Sequence, residues 1–302
     1  MRLNKLNLKR KVGFEHLELR AMMAGNVTAE VLEGGQLFIK GTTQDNFVVV
    51  TKFNNGDVKV AGVPFTNTRI NGHSSQTFEG VDSIFATLGS GNDGIALVKG
   101  TYFGLIEINT GNGIDGVALT NVTAAGVQIN TGASTDVVLA LGVTISSEEP
   151  PTDGSDLLSA QQAEFGLFGV NTSSGDDYVL LARVSAEGIN VQTGAGSDKV
   201  GLLGCSAFGI SVGLGSGVFD VLAVGFSEAE FANFDGGGDP ADTYVHARNN
   251  FDSETATGFQ LNYSLDPLVD QLQTSLQTLQ PIIQQLPGIK NLPNLQSFFA
   301  TL

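Results

Sequence analysis

Residues 188–202 read Gly-Ile-Asn-Val-Gln-Thr-Gly-Ala-Gly-Ser-Asp-Lys-Val-Gly-Leu: an alternating segment, a glycine-rich turn ending at Asp198, and a second alternating segment. Apolar residues at every second position are typical of a half-buried β-strand. Glycine between the two segments supplies the backbone conformations that a tight corner needs. This stretch therefore predicts two short strands joined by a sharp corner.

The same turn returns along the chain at an almost constant interval. Its copies end at aspartates 22, 21, 41, 21 and 22 residues apart, namely Asp93, Asp115, Asp136, Asp177, Asp198 and Asp220. A weaker copy at Asp156 divides the double interval. A fixed period in the range of about 20 to 50 residues indicates that one small unit is stacked many times.

A third apolar stretch completes each unit, so that about 21 residues make three strands and three corners. This pattern predicts an all-β fold, a right-handed parallel β-helix, whose hand follows the general preference of β crossover connections. The buried positions of the third stretch are expected at Val122, Val143, Val184, Cys205 and Phe226. Stacking also predicts one vertical file of Val117, Val138, Val179 and Val200. At its position Cys205 is expected to be a buried apolar residue rather than a reactive thiol.

The repeat divides the chain into four regions. Residues 1–25 form a basic leader, and residues 26–83 lack the repeat but contain strand-like segments at 27–31, 36–40, 47–52 and 58–60. We expect this second region to be a β cap, because a solenoid end exposes strand edges that invite aggregation unless they are covered. The β-helix is predicted over residues 84–248, and a C-terminal cap over residues 249–302.

Two segments depart from the strand pattern. Residues 146–151 read Ser-Ser-Glu-Glu-Pro-Pro, and we expect a loop there because proline lacks the amide hydrogen that a central strand needs. Near the C-terminus, apolar residues at intervals of three and four predict an amphipathic helix that packs on the solenoid as a cap. This apolar stripe consists of Val269, Leu272, Leu276, Leu279, Ile283 and Leu286.

Charge is distributed unevenly along the chain. The net charge is -16, and because residues 1–25 hold six basic and two acidic residues, a balance of +4, the remainder carries -20. Residues 101–182 contain no Lys or Arg against ten acidic residues. Since affinity for nucleic acid depends on Lys and Arg, this surface excludes nucleic acid as a partner. No apolar run approaches the ~18 residues that span a bilayer, so membrane insertion is not expected.

The leader carries a short motif within residues 14–24, Phe-Glu-His-Leu-Glu-Leu-Arg-Ala-Met-Met-Ala. It resembles the Leu-Glu-Pro-Arg-x-Leu-Leu motif near the N-termini of many exported and surface proteins of planctomycete bacteria. Leu17, Glu18 and Arg20 agree with that motif, while leucine replaces its proline and two methionines replace its final leucines. The resemblance implies export to the periplasm or cell surface, and nothing about activity. The alternative is a short amphipathic helix with a basic start.

The repeated aspartates allow three interpretations, of which two are structural. In the first, each carboxylate accepts hydrogen bonds from backbone N–H groups of its own corner, as in an Asx turn. In the second, carboxylates stacked about 4.8 Å apart repel one another and Ca²⁺ relieves the repulsion. The turns ending at Asp93, Asp115 and Asp198 resemble the Gly-x-Gly-x-Asp core of calcium-binding nonapeptide repeats, although those repeats recur every nine residues. The candidate metal ligands are Asp93, Asp115, Asp136, Asp177, Asp198 and Asp220.

The third interpretation is catalytic. Parallel β-helices include polysaccharide lyases and hydrolases, and Gly175-Asp176-Asp177 resembles one element of the polygalacturonase pattern, whose other elements this sequence lacks. Lyases of that architecture need a basic residue opposite a bound Ca²⁺, and glycosidases need two carboxylates at a set separation. The strongly negative body of this chain also repels polyuronate substrates. Catalysis is therefore the least favoured interpretation, and no catalytic or cofactor-binding residue is assigned.

These observations favour an exported structural or adhesive surface module without catalysis and without a required cofactor. A calcium-stabilised binding module is the alternative, and a polysaccharide lyase or hydrolase comes third. The expected partner is a cell-surface or extracellular protein or a glycan.

Overall fold

The computed structural model describes residues 25–146, 166–268, 270 and 271. Within these ranges the chain is a parallel β-solenoid of about seven turns of roughly 22 residues, which confirms the fold class predicted from the repeat. Its strands are β1 (Asn26–Leu32), β2 (Gln36–Lys40), β3 (Phe47–Lys52), β4 (Val58–Gly62), β5 (Arg69–Ile70), β6 (Ser75–Phe78), β7 (Ser83–Thr87), β8 (Gly94–Thr101), β9 (Leu105–Asn109), β10 (Gly116–Ala124), β11 (Gly126–Asn130), β12 (Val137–Leu141), β13 (Thr144–Ile145), β14 (Leu167–Asn171), β15 (Tyr178–Ala182), β16 (Ser185–Gln192), β17 (Lys199–Leu203), β18 (Ser206–Gly213), β19 (Val221–Gly225), β20 (Glu228–Asp235), β21 (Thr243–Ala247), β22 (Asn250–Thr257) and β23 (Leu261–Ser264).

Two long parallel sheets form most of the wall. Sheet A follows the corner aspartates and has the strand order β3-β8-β10-β12-β15-β17-β19-β21-β23. Sheet C precedes the corners and has the order β2-β7-β9-β11-β14-β16-β18-β20-β22. Between them lies sheet B, a short ladder in which Ser185 pairs with Ser206 and Ser206 with Glu228. Each wall residue therefore has an equivalent in the coil above and in the coil below.

The core is a set of vertical files of apolar side chains. The register places Val117, Val138, Val179 and Val200 in one file, as the repeat predicts. These valines are at most 2% exposed, and Ile189 and Ile210 of sheet C are equally buried. Burying one such side chain contributes about 1.5–3 kcal/mol, so the unbroken column is the main source of stability.

The file at the start of sheet B corrects one sequence prediction. Val184 and Cys205 are buried as expected, but Phe226 is 55% exposed, and Ser227 lies below Cys205 instead. The Ser227 hydroxyl accepts a hydrogen bond from the Cys205 N–H, with a distance of 3.1 Å between Oγ and N. The prediction was wrong because this longer unit carries its extra residue before Asp220, within the corner, so Phe226 takes the left-handed position at φ 55°.

The N-terminal region contains the predicted strands and joins them to both sheets. The hairpin of β1 and β2 is antiparallel, and β2 then begins sheet C. Strands β3, β4 and β6 also pair antiparallel, and β3 begins sheet A. The parallel ladders therefore start from antiparallel strands, which shield the first edge of each sheet.

The stack continues beyond residue 248, where the β-helix was predicted to end. Strands β22 and β23 pair in parallel register with β20 and β21 and add a further coil. Its inward positions include Glu254 and Ala256, both exposed. Phe251 and Phe259 pack against the core and close the end of its apolar column. Residues 266–268, 270 and 271 are helical. All six residues of the predicted apolar stripe, residues 1–24 of the basic leader and residues 147–151 of the loop lie outside the described residues.

The corners stack so closely that glycine is required at specific positions. Gly113 has φ 140°, and a Cβ atom added to it would lie 1.7 Å from the Gly91 carbonyl oxygen of the preceding coil. The oxygen belongs to the backbone, which cannot move aside without breaking the coil-to-coil ladder. Gly209 in sheet C has no atom within 4 Å of an added Cβ and does not have a positive φ.

We expect Gly113→Ala to lower the free energy of unfolding by about 3 kcal/mol or more, because backbone strain and a steric clash add. The matched change Gly209→Ala should stay within about 0.5 kcal/mol of the unchanged protein. Urea unfolding followed by circular dichroism measures both values. Equal effects of the two substitutions would contradict the stacked-corner geometry.

Candidate functional site

The corner aspartates form one buried vertical row, which we call the aspartate file. All six aspartates predicted as metal ligands lie in it, and each is at most 2% exposed. The structure adds Asp242, which ends the altered corner Gly-Gly-Gly-Asp-Pro-Ala-Asp at residues 236–242 and is fully buried. Sequence analysis missed Asp242 as a member because its corner departs from the Gly-x-Gly-x-Asp pattern.

Each carboxylate of the file binds the backbone of the neighbouring coil. Asp115 Oδ1 accepts the N–H of Asp93 at 2.8 Å, and Asp177 Oδ1 accepts the N–H of Asp136 at 2.7 Å. The same bond repeats up to Asp242. The expectation that each aspartate accepts from its own corner is therefore wrong: the donor lies one coil away, so the side chain joins coils rather than shaping its own bend.

Neutral residues close both ends of the file. Asp93 Oδ1 accepts the backbone N–H of Asn46 at 2.7 Å, and the N–H of Asp242 donates to Gln260 Oε1 at 2.9 Å. The contact between Asp136 and Asp177 spans 41 residues of sequence, yet it has the same form as the others. The prediction that the copy at Asp156 divides this interval is therefore wrong, because the coils of Asp136 and Asp177 pair directly with each other.

The second oxygen of each carboxylate is in a different situation. The Oδ2 atoms of the whole file, including Asp242, are buried and have no hydrogen-bond partner among the described residues. Because burial disfavours the charged form, it raises the pKa of Asp136 to about 7 and the pKa of Asp93, Asp177 and Asp220 to about 6. Repulsion by neighbouring carboxylates contributes to these raised pKa values, whereas hydrogen bonds from backbone N–H groups and threonine hydroxyls oppose the rise.

Buried threonines stand beside the file and offer acceptors to it. Thr110, Thr172 and Thr193 donate their hydroxyl hydrogens to carbonyl oxygens of the next coil, at 3.2, 3.1 and 3.0 Å. A hydroxyl that donates in this way keeps lone pairs that can accept from a protonated carboxyl group. Among the described residues, Thr131 Oγ1 has no hydrogen-bond partner within bonding geometry, although its hydroxyl is near enough to lower the pKa of Asp136. Burial outweighs the threonine hydroxyls, so the pKa values stay raised and the protonated form is favoured more than it is in water.

The hydrogen bonds of the aspartate file bear on the prediction that its carboxylates bind calcium. Ca²⁺ takes about six to eight oxygen ligands, whereas each carboxylate of the file has one oxygen already bound to a backbone N–H. Within residues 25–146, 166–268, 270 and 271, no three or more His, Cys, Asp or Glu side chains form a group suited to a metal ion. Calcium binding at the file stays a prediction.

The two carboxylates that resemble part of the polygalacturonase pattern, Asp176 and Asp177, lie on different sides of the wall. Asp177 is fully buried, and its Oδ1 accepts the N–H of Asp136. Its neighbour Asp176 is exposed, and its Oδ1 accepts the N–H of Ser197 at 2.8 Å. A polysaccharide on the surface reaches Asp176 but not Asp177, so the two carboxylates do not form a pair that flanks one substrate bond.

A second candidate site, which sequence analysis did not single out, lies on the outer surface of sheet C. Two adjoining depressions of about 260 and 440 Å³ share Leu167 and Asn190 in their walls, and we call them together the outer groove. Glycines at residues 169, 188 and 209 form part of its lining, where a side chain would otherwise fill the space. The signal available in the sequence was this recurrence of glycine at outward strand positions.

Polar and apolar side chains run along the outer groove in separate rows. The register places one residue of each successive coil in the central row, which reads Glu107, Gln128, Gly169, Asn190, Ser211 and Asn233. Leu105, Leu167 and Phe231 belong to the adjoining row, and Phe231 is 53% exposed. Glu107 is the one ionisable side chain among the residues that line the two depressions. The groove is therefore amide-rich and nearly uncharged.

Comparison of the chain with protein-family models, with curated proteins and with solved structures found no significant match. Among the described residues, no helix is long and apolar enough to cross a membrane. The function therefore has to be inferred from the two sites that the chain itself presents.

The raised pKa values predict that the protein is most stable in acid. The ordinary Asp pKa is 3.8, so between about pH 4 and pH 7 the folded file binds more protons than the unfolded chain. Stability is then fully present below about pH 4 and falls as the pH rises through the folded pKa values. We expect the Tm to fall by at least about 5 °C from pH 4 to pH 8 in differential scanning calorimetry.

Asp136→Asn separates the file from the general effect of net charge. The amide is neutral at every pH and keeps an oxygen for the Asp115 N–H, so we expect the Tm at pH 8 to rise by about 2–4 °C and the Tm at pH 4 to change by less than about 1 °C. Asp252→Asn, an equal change of charge at an exposed site of β22, should leave the pH dependence as it is. A lower Tm of Asp136→Asn at pH 8 would show that this carboxylate is charged and stabilising.

Proposed function

We propose that the protein is an exported, non-catalytic solenoid module that adheres to a neutral glycan through the outer groove. The observation that carries the proposal is the set of amide side chains beside exposed apolar side chains on a depressed strip of sheet C whose lining has Glu107 as its one ionisable side chain. Export is proposed from the motif in the leader. The regular solenoid supplies a rigid support that repeats the same outward position in every coil.

The side chains of the groove suit the chemistry of sugars. A sugar hydroxyl both donates and accepts, and the amide groups of Gln128 and Asn190 offer both functions from one side chain. Gln192 donates from Nε2 to Asn190 Oδ1 at 3.1 Å, which holds the Asn190 amide in one orientation. Leu167 and Phe231 supply the apolar surface against which the C–H face of a sugar ring packs.

The shape and charge of the groove favour a neutral polymer. Equivalent positions in adjacent coils are about 4.8 Å apart. From Glu107 to Asn233 every position of the central row except Gly169 presents a polar side chain along the solenoid axis. A polyuronate is disfavoured, because Glu107 lies in the groove and the molecule carries a net charge of -16. A neutral glycan that lies along the solenoid axis is repelled neither by Glu107 nor by the net charge of the molecule.

We expect the full chain to be retarded in affinity electrophoresis through gels that contain a neutral polysaccharide such as xylan, mannan or glucan, and not polygalacturonate. Asn190→Ala should weaken the binding about tenfold, since one hydrogen-bonding side chain contributes about 1–1.5 kcal/mol. Asn54→Ala, which removes an exposed amide from the turn between β3 and β4, serves as the matched control.

Two outcomes would contradict the proposal. If Asn190→Ala and Asn54→Ala reduce the retardation equally, the polymer binds outside the groove. If no neutral polymer retards the protein, the protein does not bind a neutral glycan. The same polymers should release no reducing ends during incubation with the protein. If reducing ends appear and Asp177→Asn abolishes them, the protein is a carbohydrate-active enzyme.

A calcium-stabilised binding module is the second candidate, and the unpartnered Oδ2 atoms of the aspartate file favour it. A cation held between coils would neutralise the charged carboxylates of the file at neutral pH. In acid, protonation neutralises the same carboxylates. A ligand bound only by the folded state raises the Tm. At pH 8, millimolar CaCl₂ should therefore raise the Tm above the value in MgCl₂ if calcium binds, and Asp115→Ala together with Asp136→Ala should abolish the difference.

A further inference from the structure

The outer surface of sheet A is an extended apolar face. From β8 to β23, its outward positions carry Gly, Ala, Val, Leu, Tyr and Thr, with Lys199 as the one charged side chain in this part of the described chain. Leu180 is 44% exposed, Leu203 50% and Tyr263 52%. In a chain with 15% charged residues and a net charge of -16, a face so poor in charge indicates a surface that is covered by a partner.

Large and small residues alternate in blocks along this face. In the central column of sheet A, the small Ala96 and Ala118 lie on β8 and β10, and the large Leu139 and Leu180 lie on β12 and β15. The small Gly201 and Ala223 follow on β17 and β19. The large Val245 and Tyr263 then lie on β21 and β23. The face therefore has a depression, a ridge, a second depression and a second ridge.

We propose that this face binds a second copy of the same chain, turned by 180° about an axis that runs along the strands between β15 and β17. The two solenoids are then antiparallel, and every ridge of one copy lies in a depression of the other. A two-fold interface requires such self-complementarity, because residue i contacts residue j and residue j contacts residue i. The facing pairs of the central column are Leu180 with Gly201, Leu139 with Ala223, Val245 with Ala118, and Tyr263 with Ala96.

The neighbouring column fits the same axis independently. On the side of sheet A that leads to sheet B, Ala182 faces Leu203 of the second copy, and Leu141 faces Gly225. The axis was placed by the central column alone, so the match of large with small in a second column supports this register over others. Face-to-face sheets pack about 10 Å apart, which large-to-small contacts of this kind fill.

The one charged residue of the face fits the margin of the interface. Lys199 stands at the first strand position, next to the corner, and its Nζ lies 4.5 Å from the centre of the Tyr178 ring. Across the axis, Lys199 faces Tyr178 of the second copy. A lysine at the margin keeps its ammonium group in water while its methylene groups pack on the ring.

The size of the face is sufficient for a specific dimer. From β8 to β23 it measures about 34 Å along the axis and about 16 Å along the strands, or roughly 550 Å². Specific interfaces begin at about 600 Å² of accessible surface buried on each partner. The accessible surface of this face is larger than its flat area, because its side chains project from the sheet. The acidic residues that dominate the net charge lie outside the face, so they do not oppose the contact directly.

Sedimentation of the full chain at about 1 to 100 µM tests the proposal, because an interface of this size is expected to associate in that range. We expect a dimer, and we expect Leu139→Lys to convert it to a monomer whose circular dichroism spectrum is that of the folded protein and whose Tm is lower only by the stabilisation that dimerisation gives. Ile114→Lys, which places the same charge at an exposed corner position, should leave the dimer intact. A dimer that survives Leu139→Lys overturns the proposed face.

A wild-type monomer at every concentration also overturns the proposal, and the Tm of Leu139→Lys then identifies the actual occupant. A lowered Tm would mean that another segment of this chain covers sheet A, and an unchanged Tm would mean that a different partner does. Neither result bears on glycan binding by sheet C, which is measured separately with Asn190→Ala.

Thiol cross-linking tests the orientation, with a short bismaleimide as reagent because the distance between facing sheets, about 10 Å, is too long for a direct disulfide. A mixture of two variants, Ala118→Cys and Val245→Cys, should form a cross-linked dimer, because the proposed axis places these positions opposite each other. Neither variant should cross-link alone, since the two positions are about 24 Å apart along the solenoid axis. Cross-linking of Ala118→Cys with itself would indicate a parallel dimer and would overturn the antiparallel arrangement.

Discussion

Parallel register between successive coils is the constraint on which the structure depends. Because every residue lies over its equivalent, a polar group inside the wall finds its partner in the next coil or finds none. The aspartate file shows both results within one side chain: Oδ1 binds the backbone of the neighbouring coil, and Oδ2 has no partner among the described residues. The bonds hold the coils in register, while the unpartnered oxygens make that register depend on protonation.

The fold was largely predictable because stacking repeats a local signal many times. Alternation in residues 188–202 defines a strand, and the aspartate interval defines the coil, so errors in single residues do not alter the prediction. The errors that occurred are local shifts. Phe226 was misplaced because the extra residue of its unit lies in the corner, and β22 was missed because its inward position Glu254 is polar.

The site was less predictable than the fold. The glycine-rich turns and their aspartates were evident, but hydrogen bonding across coils depends on the height of one coil above the next, which no single repeat encodes. The outer groove was missed for a related reason. Its features are an Asn or Gln in each of several coils, and Asn190 and Gln128 come together only when residues far apart in sequence are stacked in register.

The neutral ends of the aspartate file have a consequence for how such a chain changes in length. Every interior bond of the file has the same form, and even the coil with the long insertion preserves it. If one whole coil is removed or duplicated, the two coils that become neighbours can form the same bond between a carboxylate and a backbone N–H group. Asn46 and Gln260 would still terminate the row. Growth and shortening by complete coils is thus the evolutionary route that this architecture leaves open, and fractional changes are confined to the corners and loops.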